Sequence, residues 1–142
     1  MTTSSVTVVH EEIRAELVTA GVTAVYGPAL SLPVRDDGMV GQAAVLWPTP
    51  GRVQQTRSSG GMSGRGDRVQ VTCVGATVLD CLGAVSKVRA ALVGVRLPSG
   101  GLLIEDPIAM QPTTEPSTDP VRVSVPLMFT CVTKGATVAI EP

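Results

Sequence analysis

Aromatic residues are nearly missing from this 142-residue chain: Trp47, Tyr26 and Phe129 are the whole set, 2% of the sequence. Its core must therefore be assembled from Val, Leu, Ile and Ala, whose branched or small side chains suit strands and close helix–sheet packing. Histidine occurs once, as His10, beside Glu11 and Glu12. No nucleophile, base and orienting group can be assembled around it, so no catalytic residue is assigned. At the start of a helix it is expected to be solvated. The cysteines, Cys73, Cys81 and Cys131, are odd in number and lack C-x-x-C spacing. That argues against a disulfide framework or a zinc site and for three reduced, buried small hydrophobes. No metal or cofactor is expected.

Charge is scarce too. The formal net charge is −1 and the pI about 5.7, without the basic excess of a general nucleic-acid coat. No apolar run reaches the roughly 18 residues of a membrane helix. Residues 1–9 lack the basic start and long apolar stretch of a signal peptide, so assembly in the cytoplasm is the expectation.

What is present is periodicity. Over residues 8–20, Val9, Ile13 and Leu17 recur every four residues, with Ala20 continuing the stripe, and Gly21 follows as a stop. This predicts a helix, with Thr7 or Ser5 as its cap. Residues 22–26 and 42–47 read as short strands, ended by Gly27-Pro28 and by Pro48. Residues 68–74 alternate Val69, Val71 and Cys73 with Gln70 and Thr72, a strand with one buried face. Thr77 with Asp80 forms a capping-box-like pair opening a second helix. In that helix Val78, Leu82, Val85, Val88 and Leu92 trace one apolar stripe, and Gly94 ends it. Residues 102–105 and 121–133 read as further strands. Pro126 cannot donate to a ladder, so the last strand is expected at a sheet edge or with a bulge.

Two stretches break the pattern. Residues 51–67 hold Gly60, Gly61, Gly64 and Gly66 with Ser58, Ser59 and Ser63, too little apolar material to anchor a core, and predict a long mobile loop. Pro107, Pro112, Pro116 and Pro120 make residues 107–120 a second irregular loop. The expected architecture is α+β: one domain over residues 1–142, a single mixed or largely antiparallel sheet, two helices packed on one face, and long irregular loops.

The glycine-rich stretch fits neither G-x-x-x-x-G-K-[ST] nor G-x-G-x-x-G before a helix, because no lysine follows and a strand comes next. Arg65-Gly66-Asp67 spells a tripeptide that chance supplies often. What remains is a set of cations, Arg52, Arg57, Arg65 and Arg68, with Met62 as an apolar anchor. Arginines there would pair with carboxylates of a partner surface as the segment orders. A solvated loop is the plain alternative.

The order of segments resembles the tail terminator proteins of long-tailed (siphovirus-type) bacteriophages. The resemblance rests on the opening helix through Ile13 and Leu17 into Val22, and on the irregular segment before Arg68-Val69-Gln70-Val71-Thr72-Cys73-Val74-Gly75. It rests also on Lys87-Val88-Arg89-Ala90-Ala91-Leu92 closing a helix, and on the final strand after a proline-rich loop. It implies a non-enzymatic virion subunit, a ring homo-oligomer of six copies that caps the tail tube and joins it to the head. The implied partners are copies of itself, the major tail tube protein and a neck or head-completion protein, with DNA passing through the ring unread. The alternatives are a head-completion or neck connector protein and, in another class, a small-ligand-binding α+β domain.

Overall fold

The computed structural model describes residues 6–28, 32–48, 52–56, 61–107, 110–116, 118 and 120–133. The first helix, α1, spans Val6–Thr19 and buries Val9, Ile13 and Leu17. Its start at Val6 puts Thr7 inside the helix and rules it out as the cap; the other candidate, Ser5, lies outside the described residues. Gly21, at φ 86°, takes the left-handed conformation that ends the helix, and its N–H donates to Val18 O at 3.0 Å. Because the helix stops at Thr19, Ala20 leaves the stripe and is exposed. His10 departs from expectation. It is buried, because it shares the inward arc with Val9 and Ile13 instead of lying on a solvated first turn.

Strands β1 (Thr23–Tyr26) and β2 (Ala43–Trp47) pair in parallel, and β2 pairs antiparallel with β4 (Gly61–Gly75). β4 in turn pairs with β7 (Arg122–Thr133), which carries β5 (Leu102–Glu105) on its far side. Two further strands bring the mixed sheet to seven strands among the described residues: β3 (Arg52–Thr56) on β4 and β6 (Thr113–Glu115) on β7. Alternation sends Val69, Val71 and Cys73 of β4, and Val123, Val125, Leu127, Phe129 and Cys131 of β7, to one face. There they meet α1 and the second helix, α2 (Val78–Leu92), in a single core that holds all three cysteines. The expected α+β sheet with helices on one face is what the chain forms.

The other face of β2 is covered separately. Leu32 and Val40, from the segment after β1, pack with Ala43, Val45 and Val74. This is why β2 is buried on both sides although it is only five residues long. Arg35 fixes that segment to α2 through Asp80, 3.1 Å away.

Three expectations are corrected. Residues 51–67 are not one loop: β3 and the outer end of β4 form a hairpin with Arg52 opposite Gly66 and Thr56 opposite Gly61. Ladder hydrogen bonds come from the backbone, so a stretch rich in glycine and serine can pair without side-chain alternation. β7 supplies a second template for the same strand, reaching Arg65 through its partner Thr133. Likewise residues 107–120 are irregular where described except for β6.

The second correction concerns Pro126. Its strand is interior and carries no bulge against β4, where Pro126 faces Thr72 in unbroken register. Met128 O accepts from Asp106 N on the β5 side, so by parity the nitrogen of Pro126 also points away from β4. Among the described residues no strand pairs with that side between Ser124, where the pairing with β6 ends, and Phe129, where the pairing with β5 begins. The missing donor therefore costs no ladder bond.

The third concerns α2. Its cap is as expected, Thr77 Oγ1 accepting from Asp80 N at 3.2 Å. Its buried side, however, is Cys81, Ala84, Val85, Val88 and Leu92, while Val78 and Leu82 face outward. The helix starts flush on the end of β4: a Cβ on Gly75 would collide with the amide of Cys81 and with Asp80. This close approach turns the small residues Cys81 and Ala84 inward and leaves the larger ones outside.

Candidate partner-binding surface

Of the five residues singled out from the sequence, Arg52, Met62 and Arg65 lie on the β3–β4 hairpin. The register sets Arg52 opposite Gly66, Val53 opposite Arg65 and Gln55 opposite Met62, so the two arginines are one step apart on facing strands. Arg57 lies outside the described residues. Arg68 stands further in, where β4 meets β7 opposite Thr130.

Arg68 is tied down within the chain. Its Nη2 is 2.9 Å from Asp106 Oδ2, and Thr130 Oγ1 donates to the same carboxylate at 2.9 Å. This network lies on the sheet face away from the helices, because Thr130 alternates with the buried Phe129 and Cys131. Trp47 extends the same face, its Nε1 donating to Thr72 Oγ1 at 3.0 Å.

Other charges are paired in the same local way. Arg89 of α2 grips Glu105 of β5 with two nitrogens, Nε to Oε1 at 3.0 Å and Nη2 to Oε2 at 2.9 Å. Such bidentate geometry is the strongest form of this contact. Arg122, buried, lies 3.3 Å from Glu115 Oε1. The Asp37 carboxyl is held below its ordinary range, first by the Met39 N–H and then by Arg35. Burial, reinforced by neighbouring Cys81, pushes the Cys73 thiol up to about 12. The thiolate is the reactive form of cysteine, so this thiol is inert near neutral pH. Among the described residues no group of three or more His, Cys, Asp or Glu could hold a metal ion, and no helix is long and apolar enough to cross a membrane.

The surface also carries exposed large apolar groups. Val78, Leu79 and Leu82 stand out from α2, and Ile104 and Val132 stand out from the open sheet face. The sequence reading missed this set. A usable signal was present: α2 carries more large apolar residues than one face of a helix can hide.

No protein-family model matches the chain, and no curated protein matches it in sequence. Its fold does have a solved counterpart. A chain of the virion of a native gene transfer agent particle superposes with a TM-score of 0.51 at 19% identity, over 92% of both chains. At that identity the likeness is one of fold: this chain has the architecture of a chain found in that virion particle.

Proposed function

We propose that the protein is a structural virion subunit that forms a ring capping a tail tube and joining it to the head or neck. The observation that carries this reading is the fold shared over 92% of both chains with a chain of a gene transfer agent virion. The molecule's own design is compatible with it: Arg35, Arg68, Arg89 and Arg122 are each held in an internal ion pair. A catalytic role is not part of the proposal. Copies of the chain, the tail tube protein and a neck protein are the partners it requires, with assembly in the host cytoplasm and residence in the virion.

The ring makes physical sense for this fold. Among the described residues β1, four residues long, is a sheet edge, and edge strands and exposed apolar groups in small domains are commonly satisfied by sister copies. The test is light scattering coupled to size exclusion, followed by electron microscopy with tail tubes added. Closed rings seated on tube ends are expected. A protein that stays monomeric with tube protein present overturns the reading. Rings that bind neck protein and ignore tubes would move it to a connector role.

A further inference from the structure

The main strand path of the sheet runs from β1 to β5, and the chain closes its two ends differently. At the β5 end the closure is backbone: Leu103 N donates to Val95 O at 2.9 Å, and Leu103 O accepts from Gly94 N at 3.0 Å. At the β1 end it is a side chain. Arg14 Nε, from α1, donates to Ala24 O at 2.9 Å. The same guanidinium lies over the ring of Tyr26, its Cζ 5.9 Å from the ring centre, within reach of a cation–π attraction.

The pairing with β2 fixes which side of β1 this contact occupies. Gly27 N donates to Leu46 O at 2.8 Å, so Gly27 points its main-chain groups at β2. In a parallel ladder alternate residues point the same way. Thr23 and Val25 therefore face β2 as well, while Ala24 and Tyr26 turn their N–H and C=O outward. Arg14 thus fills an acceptor on the outer rim of the strand. Among the described residues no strand pairs with that rim.

The rim is complementary to itself. A two-fold axis at Val25 sets Ala24 of one copy opposite Tyr26 of another, twice over. Each such pair exchanges two hydrogen bonds, the N–H of either residue to the C=O of the other. Both Ala24 carbonyls are needed for this, and Arg14 holds each of them. The arginine is delivered to the rim by core packing, since its neighbour Ile13 and Leu17, one turn on, are fully buried. A charged side chain laid on an edge strand is a known way to keep that edge from pairing.

We infer that Arg14 is an edge guard, which shuts β1 against the β1 strand of a second copy. A β1–β1 pair is two-fold and joins subunits outside a head-to-tail ring. The guard keeps free subunits from that dead end, and any strand that adds to β1 on assembly has to lift Arg14 first.

A disulfide trap reads the guarded pairing directly. Val25 would meet its own counterpart as a non-hydrogen-bonded pair, with Cα atoms about 4.5 Å apart, within disulfide reach. Val25→Cys is made alone and together with Arg14→Ala, and each protein is incubated with oxidised glutathione. Cys73, Cys81 and Cys131 are fully buried, and protein without Val25→Cys serves as the blank. With Arg14→Ala the trapped dimer is expected at about a tenfold lower protein concentration, the factor that one or two recovered main-chain bonds supply. Arg14→Met keeps a long side chain and removes the donor, and should behave like Arg14→Ala. Equal trapping with and without Arg14 overturns the inference. So does an Arg14→Met protein that resists trapping as well as the arginine does, because bulk and not the hydrogen bond would then be the barrier. If circular dichroism shows that Val25→Cys disturbs the fold, amide exchange at Tyr26 carries the same comparison. Its N–H should be protected in concentrated Arg14→Ala protein and open in wild type, and identical exchange in the two overturns the inference. The ring reading is decided separately, by light scattering on the wild type, so either can fail without the other.

Discussion

Strand β4 changes material halfway along. Its inner end, from Arg68 to Gly75, alternates buried Val69, Val71 and Cys73 with half-wet Gln70 and Thr72 beneath α2. Its outer end, from Gly61 to Asp67, is glycine, serine and charge with the single apolar Met62, and is held by backbone pairing with β3 and, from Arg65 on, with β7. One strand is thus specified in two ways. The inner end is set by which side chains must leave water, and a slip of one residue would turn its whole core set outward. The outer end has no such set, and its pairing carries a register shift between Gln54 and Gln55. Stability should therefore reside in the inner half.

The largest expected effect lies where the inner half of β4 meets β7. Phe129 pairs with Val69, is fully buried, and is the bulkiest side chain in the core. Phe129→Ala should cost about 3–5 kcal/mol in urea unfolding, because so few rings share the load and the cavity has only small neighbours to collapse into it. A loss below about 1 kcal/mol would mean that the two halves of β4 do not differ as described.

The same contrast can be made within α2. Leu92→Ala should cost about 2–5 kcal/mol, since Leu92 is fully buried. Leu82→Ala should cost about 1 kcal/mol or less, since Leu82 never fully leaves water. Equal losses at the two positions, measured on monomeric protein, would place both on one buried stripe. Next in size comes the helix cap: Thr77→Ala removes the acceptor of the Asp80 N–H and should cost about 1 kcal/mol.

These contrasts mark how far the sequence could be read. Elements with a strong period were legible: α1 from Val9, Ile13 and Leu17, the inner end of β4, β7, and the Thr77 cap. The partition of α2 was not, because a helix apolar on two sides offers two stripes, and the contact of Gly75 with Cys81 decides between them. The outer hairpin was not legible either, because its pairing depends on main-chain groups that every residue carries. Pro126 misled for a related reason. The rule against proline inside a sheet concerns its missing donor, and the gap between β5 and β6 makes that donor unnecessary. For the candidate surface, cationic side chains drew attention to Arg68, which Asp106 already occupies. The exposed Val78 and Leu82 of α2 were assigned to the core stripe.

The smallest expected effect on stability is in the hairpin, and there it is the informative outcome. Arg52 and Arg65 lie one step apart on facing strands, so alternation places them on opposite faces of the sheet, and replacing both with glutamate changes the charge of each face without touching the backbone pairing. If backbone pairing holds this end, the melting temperature should stay within about 2 °C of wild type, the shift expected from a few tenths of a kcal/mol. Binding to a partner with carboxylates in reach should weaken all the same, and should weaken further in the variant as salt is lowered, since like charges are then less screened. A melting temperature that falls by about 10 °C would assign these arginines to holding the fold, and would make the outer end of β4 as dependent on its side chains as the inner end.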